Sequence, residues 1–221
     1  MLVIRMRTMV SAMTLVTAMA LSPIAAPPTA RAAPCSEVEV VFARGRAEAP
    51  GTGRIGEAFV DALRARTDKN VGFYAVNYPA DTEIIQGAND MSRRIQYVAS
   101  KCPDTRMVLG GYSLGAAVTD VVVAVPAPIF GYSNPLPLGM DDHIAAVALF
   151  GNGTRKVLGP VSAISPLYGE KTIDLCTSDD PICNDNLDPN TWVDNWPAHQ
   201  YAAYVDAGLV DQAAAFVAAR L

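Results

Sequence analysis

The sequence predicts an α/β fold, a three-layer α/β/α sandwich in which helices cover both faces of a central five-stranded parallel sheet. Apolar segments alternate along the chain between strand-like runs and segments with helical spacing. This alternation is typical of a parallel sheet, because each crossover between parallel strands carries a helix. The pentapeptide Gly111-Tyr112-Ser113-Leu114-Gly115 lies between one strand-like run and one helical run and fits the same architecture.

The first two thirds of the sequence contain three strand-helix pairs. In chain order, the predicted strands and helices cover Val38–Ala43, Ile55–Arg66, Val71–Val76, Gln86–Ser100, Met107–Tyr112 and Leu114–Val125. The strands are short and predominantly apolar. The helices carry apolar residues at helical spacing, such as Phe59 and Leu63 in the first and Met91 and Ile95 in the second. Each helix therefore has one face that can cover the sheet.

The last third contains two more strands and one long helix. Four prolines within residues 126–140 predict a surface loop. Strands follow at Ile144–Phe150 and Lys171–Leu175, separated by an irregular segment with one helical turn. The Ala-rich segment Ala202–Arg220 is predicted to be a helix that is interrupted at Gly208. The sequence thus predicts five strands and four main helices in one domain.

The N-terminal residues predict an export signal. Arg5 and Arg7 form a basic start, Met9–Leu21 is apolar, and Ala30-Arg31-Ala32 matches the A-x-A pattern of a cleavage site. We therefore expect a signal peptide, residues 1–32, followed by one secreted domain, residues 33–221, with retention at the cell wall left open. The apolar run is shorter than the ~20 residues of a membrane span, so no stable membrane anchor is expected.

The charge of the chain argues against nucleic-acid partners. Cleavage after residue 32 removes three arginines and no acid, so the basic count falls from 17 to 14 against 22 acidic residues, and the net charge changes from -5 to -8. Such a surface repels phosphate backbones, and no basic cluster offsets it. The remaining length suits a single core, and we expect a monomer.

All four cysteines, Cys35, Cys102, Cys176 and Cys183, follow the predicted signal. An even number in an exported chain predicts two disulfides. The spacing favours Cys176 with Cys183, which leaves Cys35 with Cys102. No metal site is expected, because there is no C-x-x-C pair and the chain has only two histidines.

Ser113 is the candidate nucleophile. In a G-x-S-x-G motif the serine occupies a sharp turn between a strand and a helix, where a base can reach its hydroxyl. The apolar run before the motif and the Ala-rich segment after it supply this context. The alternative is an ordinary Gly-Ser turn without chemistry.

The candidate base is one of two histidines. His143 directly precedes the strand Ile144–Phe150 and therefore falls at its amino end, whereas catalytic groups gather at the carboxyl ends of parallel strands. His199 lies in a Trp- and Pro-rich loop before the last helix, from which it can reach the sheet edge. This favours His199 as the base and leaves His143 as a solvated surface residue.

The candidate orienting acid is Asp180. It follows the strand Lys171–Leu175 and lies inside the loop that Cys176 and Cys183 would close. A disulfide there would hold a catalytic side chain rigid on an otherwise mobile loop. The alternative is that the acids of this loop are ordinary turn residues. Weaker candidates for the acid are Asp174, Asp185, Asp188 and Asp194.

Four motifs in a fixed order resemble the cutinase family, particularly the secreted cutinase-like esterases of mycobacteria and related actinomycetes. They are Phe42-Ala43-Arg44-Gly45, Gly111-Tyr112-Ser113-Leu114-Gly115, the segment Cys176 through Asp180-Pro181-Ile182-Cys183, and His199 followed by Tyr201 and Tyr204. The resemblance implies an α/β-hydrolase-like fold without a large lid and a serine esterase activity. It also implies a triad of Ser113, Asp180 and His199 and the two disulfides that the spacing favours.

Two positions depart from the family pattern, and both concern the oxyanion hole. The residue after the nucleophile, commonly Gln, is Leu114, and the residue after Arg44-Gly45, often Ser or Thr, is Arg46. The backbone N–H of each can still donate to an oxyanion. A side-chain hydroxyl at position 46 is lost, and one donor is worth about 2.7–4 kcal/mol. We expect the Arg46 side chain to point into solvent; the alternative is that it faces the oxyanion or an anionic substrate.

The sequence therefore predicts a secreted serine esterase, without a cofactor, that acts on small-molecule or lipid esters through an acyl-enzyme. Short to medium acyl chains are favoured, and cutin-type esters are included. Apolar loop residues are candidates either for acyl-binding walls or for packing over the sheet: Ile129, Phe130, Leu136, Leu187, Trp192, Val193 and Trp196. The alternatives are an acetyl-xylan-type esterase, a weakly active secreted binding or antigenic protein that retains the fold, and a serine peptidase.

Overall fold

The computed structural model describes residues 35–221, and the predicted signal peptide lies outside the described residues. Five strands form one sheet: β1 (Val38–Ala43), β2 (Val71–Ala75), β3 (Arg106–Tyr112), β4 (Ile144–Phe150) and β5 (Thr172–Leu175). Their order is β2-β1-β3-β4-β5, and every neighbouring pair is parallel. The predicted five-stranded parallel sheet is confirmed.

Within residues 35–221, eight α-helices cover the sheet and its carboxyl edge. They are α1 (Gly53–Arg64), α2 (Ile84–Lys101), α3 (Leu114–Ala124), α4 (Arg155–Leu158), α5 (Val161–Ile164), α6 (Trp192–Asn195), α7 (Tyr201–Asp206) and α8 (Leu209–Ala218). Short 3-10 helices cover Met140–His143, Gly169–Lys171, Pro189–Thr191 and Trp196–His199. The predicted C-terminal helix is interrupted at Gly208, whose φ of 70° is left-handed.

The hydrophobic core has two halves, one on each face of the sheet. Because side chains alternate along a strand, β1 supplies both halves. Val40 and Phe42 belong to the half covered by α1 and α8, whereas Val41 and Ala43 belong to the half covered by α2 and α3. The strand is buried along its whole length, as expected for a strand in the middle of a doubly covered sheet.

The structure differs from the sequence prediction mainly at the ends of elements. Helix α1 ends at Arg64 rather than Arg66, because the N–H of Arg66 donates to the Leu63 carbonyl, three residues back, and closes a turn towards β2. The segment between β4 and β5 contains two helices, α4 and α5, rather than one helical turn, and Pro160 separates them. The predicted loop before His199 is a 3-10 turn with Pro197 in its first turn, where proline is tolerated.

The strand order creates a crevice at the carboxyl edge of the sheet. From β1 the chain moves to β2 on one side, and it then returns to β3, β4 and β5 on the other side. Ligands bind in α/β sheets outside the carboxyl ends of the strands at such a reversal. Here Arg44 follows β1 and Ser113 follows β3, so both flank the crevice.

Two disulfides form, in the pairing that the spacing favours. Cys35, before β1, bonds Cys102 at the end of α2, with the Cα atoms 5.7 Å apart. Cys176, after β5, bonds Cys183, with the Cα atoms 5.9 Å apart. As for the lipid bilayer, none of the helices formed by residues 35–221 combines the length and the apolar character that a crossing would need.

We expect the two disulfides to contribute unequally to stability. Replacing Cys35 and Cys102 by serine should lower the free energy of unfolding by up to ~4 kcal/mol, because this bond joins residues 67 positions apart. In the matched variant, Cys176 and Cys183 are replaced by serine. This bond joins residues only 7 positions apart, so its loss should lower the free energy of unfolding by up to ~2.5 kcal/mol. Urea unfolding without reductant measures both. A larger loss from the short loop would contradict the loop-entropy account.

Candidate active site

Ser113 alone links β3, which ends at Tyr112, to α3, which begins at Leu114. Its φ is 55° and its ψ is -116°, a conformation that a non-glycine residue seldom adopts. The turn is held because the Ser113 N–H donates to the Phe150 carbonyl at the end of β4, with N and O 2.8 Å apart. Strain of this kind costs of order 1–3 kcal/mol and persists only where the surroundings fix it. The half-buried hydroxyl group is thereby set at the carboxyl edge of the sheet.

The two glycines of the pentapeptide permit a close crossing of backbones. A Cβ atom on Gly115 would lie 1.9 Å from the carbonyl oxygen of Ala43 at the end of β1. A Cβ atom on Gly111 would lie 2.1 Å from the carbonyl oxygen of Gly115. No side chain fits at either position, so both glycines are required for α3 to begin directly above β1 and β3.

The structure brings the three predicted triad residues together. The Nε2 atom of His199 lies 2.8 Å from the Ser113 hydroxyl oxygen, and its Nδ1 atom lies 2.7 Å from Oδ2 of Asp180. Since an ionised carboxylate only accepts hydrogen bonds, Nδ1 carries the proton and Nε2 is free to accept the Ser113 proton. His143 ends a 3-10 turn directly before β4, at the opposite, amino edge of the sheet.

The Asp180 carboxylate is fully buried and receives several hydrogen bonds. Its Oδ1 atom accepts from the Ile182 N–H at 2.7 Å, and its Oδ2 atom accepts from His199 and from the hydroxyl of Tyr204 at 2.5 Å. Burial by itself would raise the pKa of Asp180. The hydrogen bonds from His199, Tyr204 and Ile182 outweigh burial and hold its pKa below the ordinary value. Asp180 therefore stays ionised beside His199.

A disulfide encloses the Asp180 loop. Cys176 and Cys183 lie at the two ends of the segment that carries the carboxylate. Their sulfur atoms lie within 4.8 Å of an Asp180 oxygen, which is close enough for a metal site. Both sulfurs are bonded to each other, however, and a disulfide supplies no thiolate ligand. Cys176 and Cys183 therefore hold the Asp180 loop in place and do not act as metal ligands.

Aromatic rings fix the His199 imidazole. The Tyr112 ring stacks on it with a centroid distance of 5.2 Å, and the Trp196 ring lies 5.2 Å away on a tilted plane. The Tyr112 hydroxyl donates to the His199 carbonyl, and the Thr177 hydroxyl donates to the Ala198 carbonyl at 2.8 Å. These contacts hold in place an imidazole that comes from a segment outside the sheet.

The two predicted oxyanion donors, the backbone N–H groups of Arg46 and Leu114, belong to residues that line one cavity with Ser113. Within residues 35–221, neither group donates a hydrogen bond to the protein. Leu114 is the first residue of α3, an 11-residue helix, so its N–H lies at the positive end of the helix dipole. Both groups are available to a ligand.

The loop that carries Arg46 is fixed by two charged side chains, the buried Arg44 and the partly buried Glu48. The Arg44 guanidinium, itself buried, donates to the carbonyls of Glu48 at 2.9 Å and Tyr78 at 2.7 Å. The Glu48 carboxylate accepts from the N–H of Gly45 at 2.6 Å and from the N–H of Arg54 at 2.9 Å. The loop is thus bonded to the segment that follows β2 and to the start of α1.

The Arg46 side chain is exposed at the mouth of this cavity. The pKa of Asp81 is lowered mainly by a hydrogen bond from the Thr82 N–H, and the positive charge of Arg46 adds to that effect. The exposed Arg46 side chain thus lies both near Asp81 and at the cavity over Ser113.

An open cavity of about 1000 Å³ lies over Ser113 and His199. Its apolar walls are formed by Leu114, Val157, Leu158, Ile182, Trp192 and Trp196. Two of the predicted wall residues, Trp192 and Trp196, line it. The acyl-wall alternative is wrong for Ile129, Phe130, Leu136, Leu187 and Val193, which do not line it, and Leu136 packs against the core instead. The expected loop walls are replaced in part by α4, because α4 lies directly beyond the carboxyl end of β4.

Two largely buried carboxyl groups, Asp120 on α3 and Asp174 on β5, meet at Asn152 beyond the end of β4, and the sequence prediction missed this pair. The Asn152 side-chain amide donates to Oδ2 of Asp120 at 2.9 Å and of Asp174 at 3.4 Å. Burial raises the pKa of Asp120 to about 7 and that of Asp174 to about 6. Asp174, a weaker candidate for the triad acid, therefore belongs to this pair. Asp120 carried a signal, since it is the single acid in the apolar run of α3.

The parallel sheet and the serine turn after β3 define an α/β-hydrolase-like protein. A family model described as cutinase matches residues 34–221. A Mycobacterium tuberculosis protein named "Probable carboxylesterase Culp2" is 61% identical over 189 residues, covering 86% of this chain and 81% of that protein. "Phospholipase Culp4" of the same organism is 49% identical over 220 residues, covering 98% and 92%.

The chain therefore belongs to the cutinase family, and it is a carboxylic ester hydrolase. A solved structure agrees: Trichoderma reesei cutinase in complex with a phosphonate inhibitor is 29% identical, with a TM-score of 0.58. The match covers 83% of this chain and 76% of that chain.

We expect the Asp120 carboxyl to destabilise the fold at alkaline pH. Its pKa is 3.8 ordinarily and about 7 in the folded protein, so the folded state binds the proton more tightly and stability falls as pH rises through this window. Asp120→Asn should therefore raise Tm at pH 8 by about 4–8 °C, ~2 kcal/mol, and leave Tm at pH 3.5 nearly unchanged.

Thermal unfolding followed by circular dichroism at both pH values measures this effect. The exposed Asp185→Asn variant is the matched control and should show no pH-dependent gain. A loss of stability in Asp120→Asn at pH 8 would show that the buried carboxylate is fully compensated.

Proposed function

We propose that this protein is a secreted serine esterase that cleaves carboxylic esters through Ser113, His199 and Asp180, with a covalent acyl-enzyme. The observation that carries the proposal is the continuous hydrogen-bonded path from the Ser113 hydroxyl through the imidazole to the Asp180 carboxylate. This path ends in the cavity, which supplies a place for the acyl chain.

The reaction follows from the protonation states of these groups. His199 Nε2 takes the Ser113 proton while the hydroxyl oxygen attacks the ester carbonyl, and the Asp180 carboxylate stabilises the imidazolium. The oxyanion accepts hydrogen bonds from the backbone N–H groups of Arg46 and Leu114. The imidazolium then protonates the leaving alcohol. Water, deprotonated by His199, cleaves the acyl-enzyme in the same manner and restores Ser113.

The substrate class follows from the cavity walls. Val157, Leu158 and the rings of Trp192 and Trp196 offer an apolar surface that can bury methylene groups, each worth ~0.8 kcal/mol. Short to medium acyl esters, including lipid esters, fit this surface. The printed names of the relatives, "Probable carboxylesterase Culp2" and "Phospholipase Culp4", support carboxylic esters and lipid esters as the substrate class. An acetyl-xylan-type specificity would make no use of this wall.

The compartment and organisation are part of the proposal. Residues 1–32 serve as a signal peptide, and residues 33–221 act outside the cell as one domain and as a monomer. The two disulfides support this assignment, because such bonds persist in oxidising compartments.

The first test concerns the nucleophile and the base. Hydrolysis of p-nitrophenyl butyrate should fall at least about 10³-fold in Ser113→Ala and in His199→Ala, since the path from serine to carboxylate is broken. The matched control, His143→Ala, removes the other histidine at the opposite edge of the sheet and should keep nearly full kcat/KM. Undiminished turnover by Ser113→Ala would refute the proposal and leave a binding protein with this fold.

The second test concerns the acyl wall. In a series of esters from C2 to C16, replacing both Val157 and Leu158 by serine should lower kcat/KM for C8 about tenfold and for C2 by less than twofold. The control is Leu138→Ser, an exposed residue outside the cavity, which should change neither value. A wild-type protein that cleaves C2 and rejects C4 and longer esters would favour the acetyl-xylan-type alternative.

A further inference from the structure

Tyr204 is a fully buried residue on α7, and its side chain contacts the Asp180 carboxylate of the proposed triad. Its hydroxyl oxygen lies 2.5 Å from Oδ2 of Asp180, the same oxygen that accepts the His199 Nδ1–H at 2.7 Å. The other oxygen, Oδ1, is bonded by the Ile182 N–H. Oδ2 of Asp180 thus accepts hydrogen bonds from both His199 and Tyr204. Tyr204 itself lines no part of the cavity.

The direction of the Tyr204 hydrogen bond is fixed. Burial, together with the charge of Asp180 and the hydrogen bond to it, raises the pKa of Tyr204 far above its ordinary value. The phenol therefore keeps its proton and donates it to the carboxylate. In the described part of the chain, no lysine or arginine forms an ion pair with Asp180. The titratable groups that face the carboxylate are His199, Tyr204 and, more distantly, Tyr112.

The packing leaves the Tyr204 ring little freedom. Its edge meets the rings of Tyr112 and Phe150, with centroids 5.9 Å and 6.3 Å away. Its hydroxyl also contacts the Cys183 sulfur at 3.5 Å, at the end of the disulfide-closed loop. A rigid donor therefore approaches the carboxylate from one element, α7, while the base approaches it from the preceding 3-10 turn.

We propose that Tyr204 is a positioning residue of the catalytic site: its hydroxyl bond to Oδ2 fixes the Asp180 carboxylate towards His199 and limits how strongly that oxygen binds the imidazolium. This inference rests on the proposed triad. Its consequence is a pH effect. Without the Tyr204 hydroxyl, Oδ2 of Asp180 accepts a hydrogen bond from His199 alone and binds the imidazolium more tightly. The protonated, inactive enzyme therefore persists to higher pH.

The test is Tyr204→Phe, which keeps the ring and removes only the hydroxyl. The acidic limb of the kcat/KM profile for p-nitrophenyl butyrate should move up by about 0.5–1 pH unit, and kcat at the optimum should fall about two- to tenfold. KM should stay unchanged, because Tyr204 does not line the cavity. A purely structural role would change Tm and leave the limb in place.

Tyr132→Phe is the matched control. Tyr132 is equally buried, and its hydroxyl lies 3.3 Å from the Ser92 hydroxyl in the other half of the core. This variant should lose a comparable hydroxyl without moving the acidic limb. If both variants move the limb equally, the shift does not come from Asp180 and the inference is wrong.

A second substitution tests the same role of Tyr204 if Tyr204→Phe folds poorly. Site-specific 3-fluorotyrosine at position 204 keeps the hydroxyl and makes it a stronger donor, so the limb should move to lower pH. An unmoved limb would overturn the role of Tyr204. If Ser113→Ala is inactive while the limb does not move, only this inference fails; if Ser113→Ala stays active, the proposed triad fails with it.

Discussion

The close crossing of backbones at Gly111 and Gly115 is the constraint on which the rest of the site depends. Gly115 lets α3 begin against the end of β1, and Gly111 lets the turn close on itself. Ser113 is the one residue left between strand and helix, and it takes a left-handed φ as a result. Its position therefore follows from the packing of the sheet and a helix, and it does not depend on a mobile loop.

The remaining groups are brought to this fixed point from segments outside the sheet, and each is immobilised in a different way. Asp180 lies in a loop closed by a disulfide. It stays ionised because three hydrogen bonds lower its pKa by more than burial raises it. His199 lies between aromatic rings at the end of a 3-10 turn. The Arg46 loop is bonded through Glu48 and Arg44 to neighbouring elements. A preorganised site of this kind requires little rearrangement when charge develops in the reaction.

Local signals explain how much the sequence could predict. Ser113 is marked by its motif, Asp180 by the flanking cysteines and His199 by the scarcity of histidines, so each could be named without coordinates. Val157 and Leu158 could not, because their place depends on how the chain folds after β4. That path is set by Asn152, which bonds Asp120 and Asp174 on two distant elements. Element ends were also missed where turns such as that of Arg66 replace the last helical residues.

The most direct measurement of the central claim is covalent labelling by an alkyl phosphonate with a p-nitrophenolate leaving group, followed by peptide mass spectrometry. An activated Ser113 predicts one adduct per chain, on the peptide that contains Gly111 to Gly115, formed in step with the loss of esterase activity. The adduct should be absent from Ser113→Ala and strongly reduced in His199→Ala. Stoichiometric inactivation with the label on another residue, or labelling that does not depend on His199, would contradict the account.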